Sequence, residues 1–145
     1  MKFYLNQEAR ARGVLPLAAP RPGDAGYDLR SMEELDVAPG AQALVRTGLH
    51  LAIPTGWVGL LKERSSLARE RVYVHSGVID ASYRGEVLVV LENGGSKPIH
   101  IGTNDKIAQL IVVPHEAGEP QEVEDLASLG ETERGERGFG STGTR

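Results

Sequence analysis

The sequence lacks cysteine altogether and is poor in aromatic residues, which make up 5% of its 145 residues. Without cysteine, the chain can form neither a disulfide framework nor a thiolate metal site, which fits a reducing compartment. No run approaches the roughly 18 consecutive apolar residues of a membrane span. Residues 1–6 are too polar for a signal peptide. We therefore expect a cytoplasmic protein with no membrane partner.

An excess of positive charge is also missing, since 16 lysines and arginines stand against 20 acidic residues and the net charge is −4. Broad binding to nucleic acid requires a basic face, so we expect no nucleic-acid partner. A small phosphorylated ligand is compatible with this charge if local arginines or a metal ion hold it. The length suits one domain with a substantial core.

Turn signals recur along the chain, which has 18 glycines and 8 prolines. Between them lie short runs rich in Val, Leu and Ile, and this spacing is typical of an all-β sandwich or barrel. The runs 87–91 and 107–113 are apolar nearly throughout, which predicts burial on both faces, in the core or against another subunit. The one predicted helix covers 65–71. The predicted strands cover 2–5, 42–45, 49–53, 57–61, 72–74, 87–91 and 107–113.

The composition changes after Pro114, and 115–138 reads as an extended, solvated linker. The following stretch 138–143 contains three glycines, two hydroxyls and Phe139, a side chain suited to stacking on a flat ring. It matches G-x-G-x-x-G, but no helix can follow it, which excludes a Rossmann site. We predict a β-barrel domain over 1–114 and, over 115–145, an extended linker with a flexible glycine-rich arm that closes over the active site.

Two stretches carry candidate chemistry. Asp80 follows the strand-like run 77–79, where a carboxylate is costly to bury unless it is paired or does chemistry. A surface turn is the alternative for this residue. Arg64, Ser65 and Ser66 offer a fixed cation and two hydroxyls, which suit a phosphate. A helix start is the alternative here, because serine is a good N-cap. The four histidines lack the spacing of a zinc site.

Five motifs, taken together and in order, resemble the trimeric dUTP diphosphatases (dUTPases), and the resemblance covers nearly the whole chain. The motifs are Ala25-Gly26-Tyr27-Asp28-Leu29, Arg64-Ser65-Ser66-Leu67-Ala68, Gly77-Val78-Ile79-Asp80 with Tyr83-Arg84-Gly85, Asp105-Lys106-Ile107-Ala108-Gln109-Leu110-Ile111, and Arg134-Gly135 with Gly138-Phe139-Gly140-Ser141-Thr142-Gly143.

The resemblance implies a jelly-roll-like β-barrel that assembles as a homotrimer, with active sites between subunits. It also implies hydrolysis of dUTP to dUMP and diphosphate with Mg²⁺. This reaction limits uracil incorporation into DNA and supplies dUMP.

Roles for individual residues follow from the same resemblance. Asp80 is expected to orient the attacking water as a general base, and Tyr83 to lie under the deoxyribose, where it excludes a 2′-hydroxyl. Asp28 is expected to orient Mg²⁺ through coordinated waters. The main chain of a hairpin is expected to read the uracil edge, with contributions from Val74, Gly77, Val78 and Ile79.

The remaining expected contacts concern the phosphates and the arm. Arg64, Ser65 and Ser66 are expected to hold the phosphates, assisted by Gln109. On the arm, the resemblance implies stacking of Phe139 on uracil, contact of Arg134 with the terminal phosphate, and closure over the triphosphate by Gly140, Ser141 and Thr142.

Three of the motifs depart from the family pattern. Glu63 and Ser66 flank Arg64-Ser65 where proline and glycine are common. Ser82 stands where an acidic residue is usual, and Arg137 replaces a glycine. None of these departures removes a residue with a named chemical role.

Two other functions share this scaffold. A dCTP deaminase has a similar second motif, but it requires a glutamate where this chain has Val90, and it lacks the Phe139 arm. A non-catalytic nucleotide-binding regulator is the third possibility, and retention of Asp80, Tyr83 and Gln109 argues against it.

Overall fold

The computed structural model describes residues 1–75, 77–116, 118–133 and 135. Strands dominate these residues, so the expected all-β class is confirmed. In chain order the elements are β1 (Lys2–Leu5), α1 (Gln7–Ala11), β2 (Tyr27–Arg30), β3 (Leu35–Val37), β4 (Gln42–Ala52), β5 (Trp57–Lys62), α2 (Ser65–Arg69), β6 (Val72–His75), β7 (Val78–Ile79), β8 (Glu86–Asn93), β9 (Ile99–Ile101), β10 (Lys106–Pro114) and a 3₁₀ helix (Leu126–Leu129).

The strands form two four-stranded sheets and one two-stranded sheet. The first four-stranded sheet has the order β1-β4-β8-β6, the second has the order β2-β10-β5-β7, and β3 pairs with β9. Every pairing is antiparallel. Because β6 and β7 follow each other in the chain, the connection between them crosses from one four-stranded sheet to the other.

A common apolar core joins the two four-stranded sheets. Val45 of β4 and Val89 of β8 are fully buried, as is Leu110 of β10 in the other sheet, and all three belong to one hydrophobic cluster. Full burial of such a side chain contributes about 1.5–3 kcal/mol. The core therefore fixes the relative position of the strands that carry the candidate site.

The expected burial of β8 on both faces is met on one face within the single chain. Val87, Val89 and Leu91 are fully buried, but the alternate residues Leu88 and Val90 are only half-buried. Since successive side chains of a strand point to opposite faces, the core of the single chain covers only one face of β8. Burial of the second face by another subunit stays a prediction.

The predicted strands 42–45 and 49–53 form one long strand with an irregularity in the middle. The register of β4 against β8 shifts between Arg46 and His50, and Gly48 has φ +66°. A Cβ on Gly48 would lie 2.3 Å from Cβ of Ala9 in α1. This bulge therefore requires glycine, both for its backbone conformation and for the close approach of α1.

Residues 118–133, which were predicted to be an extended linker, contain one short structured piece. The backbone N–H and hydroxyl of Ser128 both donate to the carboxylate of Asp125, at 2.8 and 2.9 Å, and this cap begins the 3₁₀ helix. All residues from 118 to 133 are nonetheless exposed. In the described parts of the chain, no helix has the length and apolar character that crossing a membrane requires.

The small β3–β9 sheet generates a prediction about pH. His100 Nδ1 lies 2.8 Å from Asp36 Oδ1, and this hydrogen bond, together with the charges of Asp36 and Glu34, raises the pKa of His100. A raised pKa contributes stability that is complete below the unfolded value, about 6.5, and is lost as pH rises through the folded value. We expect His100→Gln to lower the thermal unfolding midpoint at pH 6 and to lower it less at pH 8.5.

The same comparison in an Asp36→Asn background provides the control, because coupling between two residues vanishes when the partner is gone. An effect of His100→Gln that is independent of pH in both backgrounds would contradict the assignment.

Candidate active site

A cleft of about 360 Å³ opens beside β2, β10 and the segment before β2. Its lining combines four cationic side chains with two carboxylates and one amide. The charged and amide residues are Arg21, Arg30, Arg64, Lys106, Asp24, Asp28 and Gln109. A cleft with this excess of cations suits a multiply charged anion, which the net charge of the whole chain did not reveal.

Strand pairing explains how distant segments reach this cleft. In β10, Gln109 is the register partner of Asp28 on β2 and of Lys62 on β5. Arg64 stands two residues beyond the end of β5, at the same end of the sheet. Three motifs that are far apart in sequence therefore meet along one row of the sheet.

Asp28 is the electrostatic centre of the cleft. Its Oδ2 lies 2.6 Å from Lys106 Nζ, and its Oδ1 lies 3.2 Å from Arg64 Nε. Partial burial raises the pKa of Asp28, but the hydrogen bond from Lys106 and the charges of Arg64 and Lys106 outweigh this effect, with help from Gln109, and the pKa is lowered. Asp28 is therefore an ionised carboxylate that holds two cations at the cleft wall.

The segment from β6 to β7 is the second part of the candidate site, and it differs from the expected hairpin because its two strands belong to different sheets. Val74 of β6 pairs with β8 in one sheet, whereas Val78 and Ile79 of β7 pair with β5 in the other. Between them, the carbonyl of Gly77 accepts a 2.8 Å hydrogen bond from Leu61 N. The β6–β7 segment therefore links the two sheets, with Val78 among its exposed side chains.

Asp80 directly follows β7 and is exposed, which agrees with the surface turn considered as the alternative. Its main-chain carbonyl accepts from Tyr83 N at 3.0 Å. The structure shows no hydrogen bond or ion pair to its carboxylate from any residue that it describes. This carboxylate is accordingly open to water, and the expected penalty of burial does not arise in the single chain.

The predicted residues fall into three groups. Asp28, Arg64 and Gln109 line the cleft, and Ser65 and Ser66 begin α2 directly after Arg64 with exposed side chains. The predicted residues of the β6–β7 segment, and the turn with Asp80 and Tyr83, are not among the residues that line this cleft. The arm residues lie outside the described residues, namely Arg134, Phe139, Gly140, Ser141 and Thr142.

Several cleft residues were missed at the level of sequence. Lys106 stands inside the fourth motif, shortly before Gln109, so its place in the motif could have drawn attention to it. Arg30 directly follows the first motif in the same way. Arg21 and Asp24 lie in an irregular segment, where no spacing rule indicates which way a side chain points.

A family model described as dUTPase matches residues 16–143. The deoxyuridine 5′-triphosphate nucleotidohydrolase of Anaeromyxobacter sp. (strain Fw109-5) is 49% identical over 134 residues, which are 88% of this chain and 89% of that protein. The enzyme of the same name from Cutibacterium acnes is 43% identical over 137 residues, 90% of this chain and 88% of the relative.

Solved structures agree with these relatives. The dUTPase of Staphylococcus bacteriophage 80alpha with dUPNHPP is 27% identical and superposes with a TM-score of 0.86, covering 98% of this chain and 97% of that one. A mutant dUTPase from phage phi11 of S. aureus, described with a structural Mg(II) ion, is 25% identical with a TM-score of 0.77, covering 87% of this chain and 97% of that one.

The close contact at Gly77 generates a prediction about the attachment of the β6–β7 segment to β5. Gly77 has φ +141°, and a Cβ there would lie 2.8 Å from Leu61 Cβ. We expect Gly77→Ala to lower the free energy of unfolding, because backbone strain of this kind costs about 1–3 kcal/mol and the clash adds to it. Chemical denaturation at matched protein concentration measures the loss.

Gly56→Ala is the matched control. Gly56 also has a positive φ, +81°, but its Cβ would meet nothing within 4 Å. The strain is then present without the clash, so the loss should be smaller than for Gly77→Ala. Equal losses at the two positions would show that the contact with Leu61 does not constrain the β6–β7 segment.

Proposed function

This chain belongs to the dUTPase family, and we propose that its catalytic site combines the cationic cleft around Asp28 with the turn that carries Asp80. The protein is a hydrolase that converts dUTP to dUMP and diphosphate. Its jelly-roll-like fold is that of the dUTPase structures to which it is similar. The observation that carries the proposal is the group of four cations that line one cleft, two of which are paired with Asp28.

The cleft is the proposed triphosphate site. Arg64 presents a planar guanidinium suited to phosphate oxygens, and Ser65 and Ser66 follow it as exposed hydroxyl donors. Gln109 adds an amide from the neighbouring strand β10. Lys106 extends this set beyond the residues expected from the sequence, since its ammonium lies against Asp28 on the same wall.

The cofactor that the family implies is Mg²⁺, and the cleft fits it. Asp24 and Asp28 line the cleft, while the described residues contain no group of three or more acidic or histidine side chains that could hold a metal ion. Mg²⁺ is commonly bound by one or two carboxylates and keeps several waters besides phosphate oxygens. Asp28 would hold the ion through such waters, and the bound ion neutralises charge on the phosphates.

Asp80 is the proposed general base. Its carboxylate is exposed and makes no hydrogen bond or ion pair with any residue that the structure describes, so it is available to accept a proton from water. The resemblance assigns Tyr83 to the underside of the deoxyribose. The resemblance assigns the main chain of Val74, Gly77, Val78 and Ile79 to the uracil edge, and the hydrogen bond from Leu61 N to the Gly77 carbonyl supports this by attaching the segment to β5.

Two observations support a site that is shared between copies of the chain. The turn with Asp80 is absent from the lining of the cleft that contains Arg64 and Asp28, and the second face of β8 is only half-covered in one chain. We propose a homotrimer in which the turn of one subunit meets the cleft of the next. The trimer and the cytoplasmic location both stay predictions.

The arm completes the proposed mechanism. The family match runs through residue 143, which supports 115–145 as a functional extension of the barrel domain 1–114. Phe139 is proposed to stack on uracil and Arg134 to meet the terminal phosphate. Gly140, Ser141 and Thr142 would cover the triphosphate and exclude water other than the nucleophile.

Replacement of the proposed base is the first functional prediction. Asp80→Asn keeps the shape of the side chain but removes its basicity, and loss of a general base typically costs about 10²- to 10⁴-fold in rate. We expect dUTP to bind with nearly unchanged affinity while diphosphate release falls by this factor. Turnover close to that of the wild type would refute the role of Asp80.

Removal of the arm is the second functional prediction. Stacking on a base is worth about 1–3 kcal/mol, so Phe139→Ala should weaken productive dUTP binding by roughly 5- to 150-fold. A chain that ends after Thr132 should lose more, because Arg134 is removed as well. Steady-state kinetics measure the loss of activity. Size-exclusion chromatography measures assembly, which should survive both changes. Full activity of the truncated chain would contradict closure by the arm.

A further inference from the structure

The turn between β7 and β8, residues 80–85, is held by its own hydrogen bonds. Tyr83 N donates to Asp80 O at 3.0 Å. The guanidinium of Arg84 reaches back over the turn, and its Nη1 donates to Ala81 O and to Tyr83 O, each at 2.7 Å. One nitrogen therefore bridges two carbonyls of the turn. One belongs to Ala81, next to the proposed base Asp80, and the other belongs to Tyr83, which is assigned to sugar recognition.

The ring of Tyr83 is positioned by the residues that follow it. Its hydroxyl donates to Glu86 O at 3.0 Å. The phenol passes directly over Gly85, where an added Cβ would lie 2.2 Å from the Tyr83 oxygen and 2.4 Å from the adjoining ring carbon. The bare main chain of Gly85 is therefore what allows the phenol to reach the Glu86 carbonyl.

The far end of the turn is anchored to the body of the protein. His50 Nδ1 lies 3.0 Å from Arg84 O, and Glu86 Oε1 accepts from Gly48 N at 2.8 Å. Arg46 adds an ion pair to the other oxygen of Glu86 at 3.1 Å. The bulge in β4 thus supplies fixed attachment points, whereas within the turn the guanidinium of Arg84 is the cross-connection that ties the carbonyls together.

We propose that Arg84 is a positioning residue, which clamps the Ala81 and Tyr83 carbonyls so that Asp80 and Tyr83 are presented in one fixed relative orientation, with Gly85 providing the space for the tyrosine ring. The inference rests on the proposed roles of Asp80 and Tyr83. Exposed carbonyls that lose the guanidinium exchange it for water, so the turn itself remains possible but is no longer confined to one conformation.

The geometry favours a clamp over direct contact with substrate. Arg84 Nη1 is already committed to two short hydrogen bonds within the turn, which hold the guanidinium against the main chain of the turn. A clamp acts on both neighbours at once. Its loss must therefore change sugar selection through Tyr83 as well as turnover through Asp80, whereas loss of a contact with the phosphates alone would leave the preference for dUTP over UTP unchanged.

The test uses the full chain with the variants Arg84→Met, Arg84→Lys and Gly85→Ala, and Arg71→Met as control. Arg71 is an exposed arginine beside the Asn93 end of β8, opposite to the end where the turn enters that strand, so its replacement removes the same charge away from the turn. The measurements are kcat and KM for dUTP and for UTP, with Mg²⁺ present, and the thermal unfolding midpoint of each variant.

We expect Arg84→Met to lower kcat/KM for dUTP by about 10- to 100-fold, since small misplacements of catalytic groups have effects of this size, and to reduce the preference for dUTP over UTP. Arg84→Lys should restore part of both, because an ammonium carries three donors. Gly85→Ala should reduce the preference with the guanidinium intact, and Arg71→Met should match the wild type in both respects.

Three results would overturn the proposal. Arg84→Met with unchanged kcat and preference would show that the clamp is dispensable. A raised KM with unchanged preference in Arg84→Met, together with a normal KM in Arg84→Lys, would show a charge contact with substrate. Full preference in Gly85→Ala would show that the ring needs no such space. Asp80→Asn separates the inference from its premise, since an active Asp80→Asn variant refutes the base, whereas an inactive one together with a normal Arg84→Met variant refutes only the clamp.

Discussion

The attachment of β7 to β5 is the constraint on which the rest of the structure depends. Gly77 approaches Leu61 so closely that a Cβ has no room, and the hydrogen bond from Leu61 N fixes the main chain there. Strand β5 also leads into Arg64, two residues beyond its end. A single strand therefore positions the proposed phosphate site of one active site and, through β7, the turn with Asp80 that the same chain would supply to another.

Charge in this protein is organised locally and not globally. The chain has a net charge of −4, yet four cations surround one cleft. Asp28 makes that concentration possible, because ion pairs with Lys106 and Arg64 offset the repulsion between two like charges on one wall. The lowered pKa of Asp28 follows from the same pairs. An arriving triphosphate would meet donors that are already placed, which reduces the cost of ordering them.

Much of this arrangement could be read from the sequence, and the rest could not for identifiable reasons. The runs at 2–5, 57–61 and 87–91 predicted strands because aliphatic and aromatic residues cluster there between turn signals. The three-residue strands β3 and β9 and the polar strand β2 have no such run, so they were missed. The motifs identified Asp28, Arg64 and Gln109, which the structure brings together.

Packing decided what the motifs left open. The exposure of Asp80 depends on the position of β7 at the edge of its sheet. The half-covered face of β8 depends on neighbours that a single chain does not contain. Likewise, the hydrogen bonds of Arg84 to Ala81 O and Tyr83 O arise from the path of the turn. A residue next to a recognised tyrosine gives no sign in the sequence that its side chain folds back.

The central claim is that the turn of one subunit acts with the cleft of another, and complementation between two inactive variants tests it most directly. Asp80→Asn and Arg64→Met are unfolded together, refolded as a mixture and assayed for diphosphate release from dUTP. In a trimer with shared sites, random mixing gives about a quarter of the sites an intact Asp80 and an intact Arg64 from different chains. The account predicts recovery toward that fraction of wild-type activity. A mixture as inactive as its two components would contradict it.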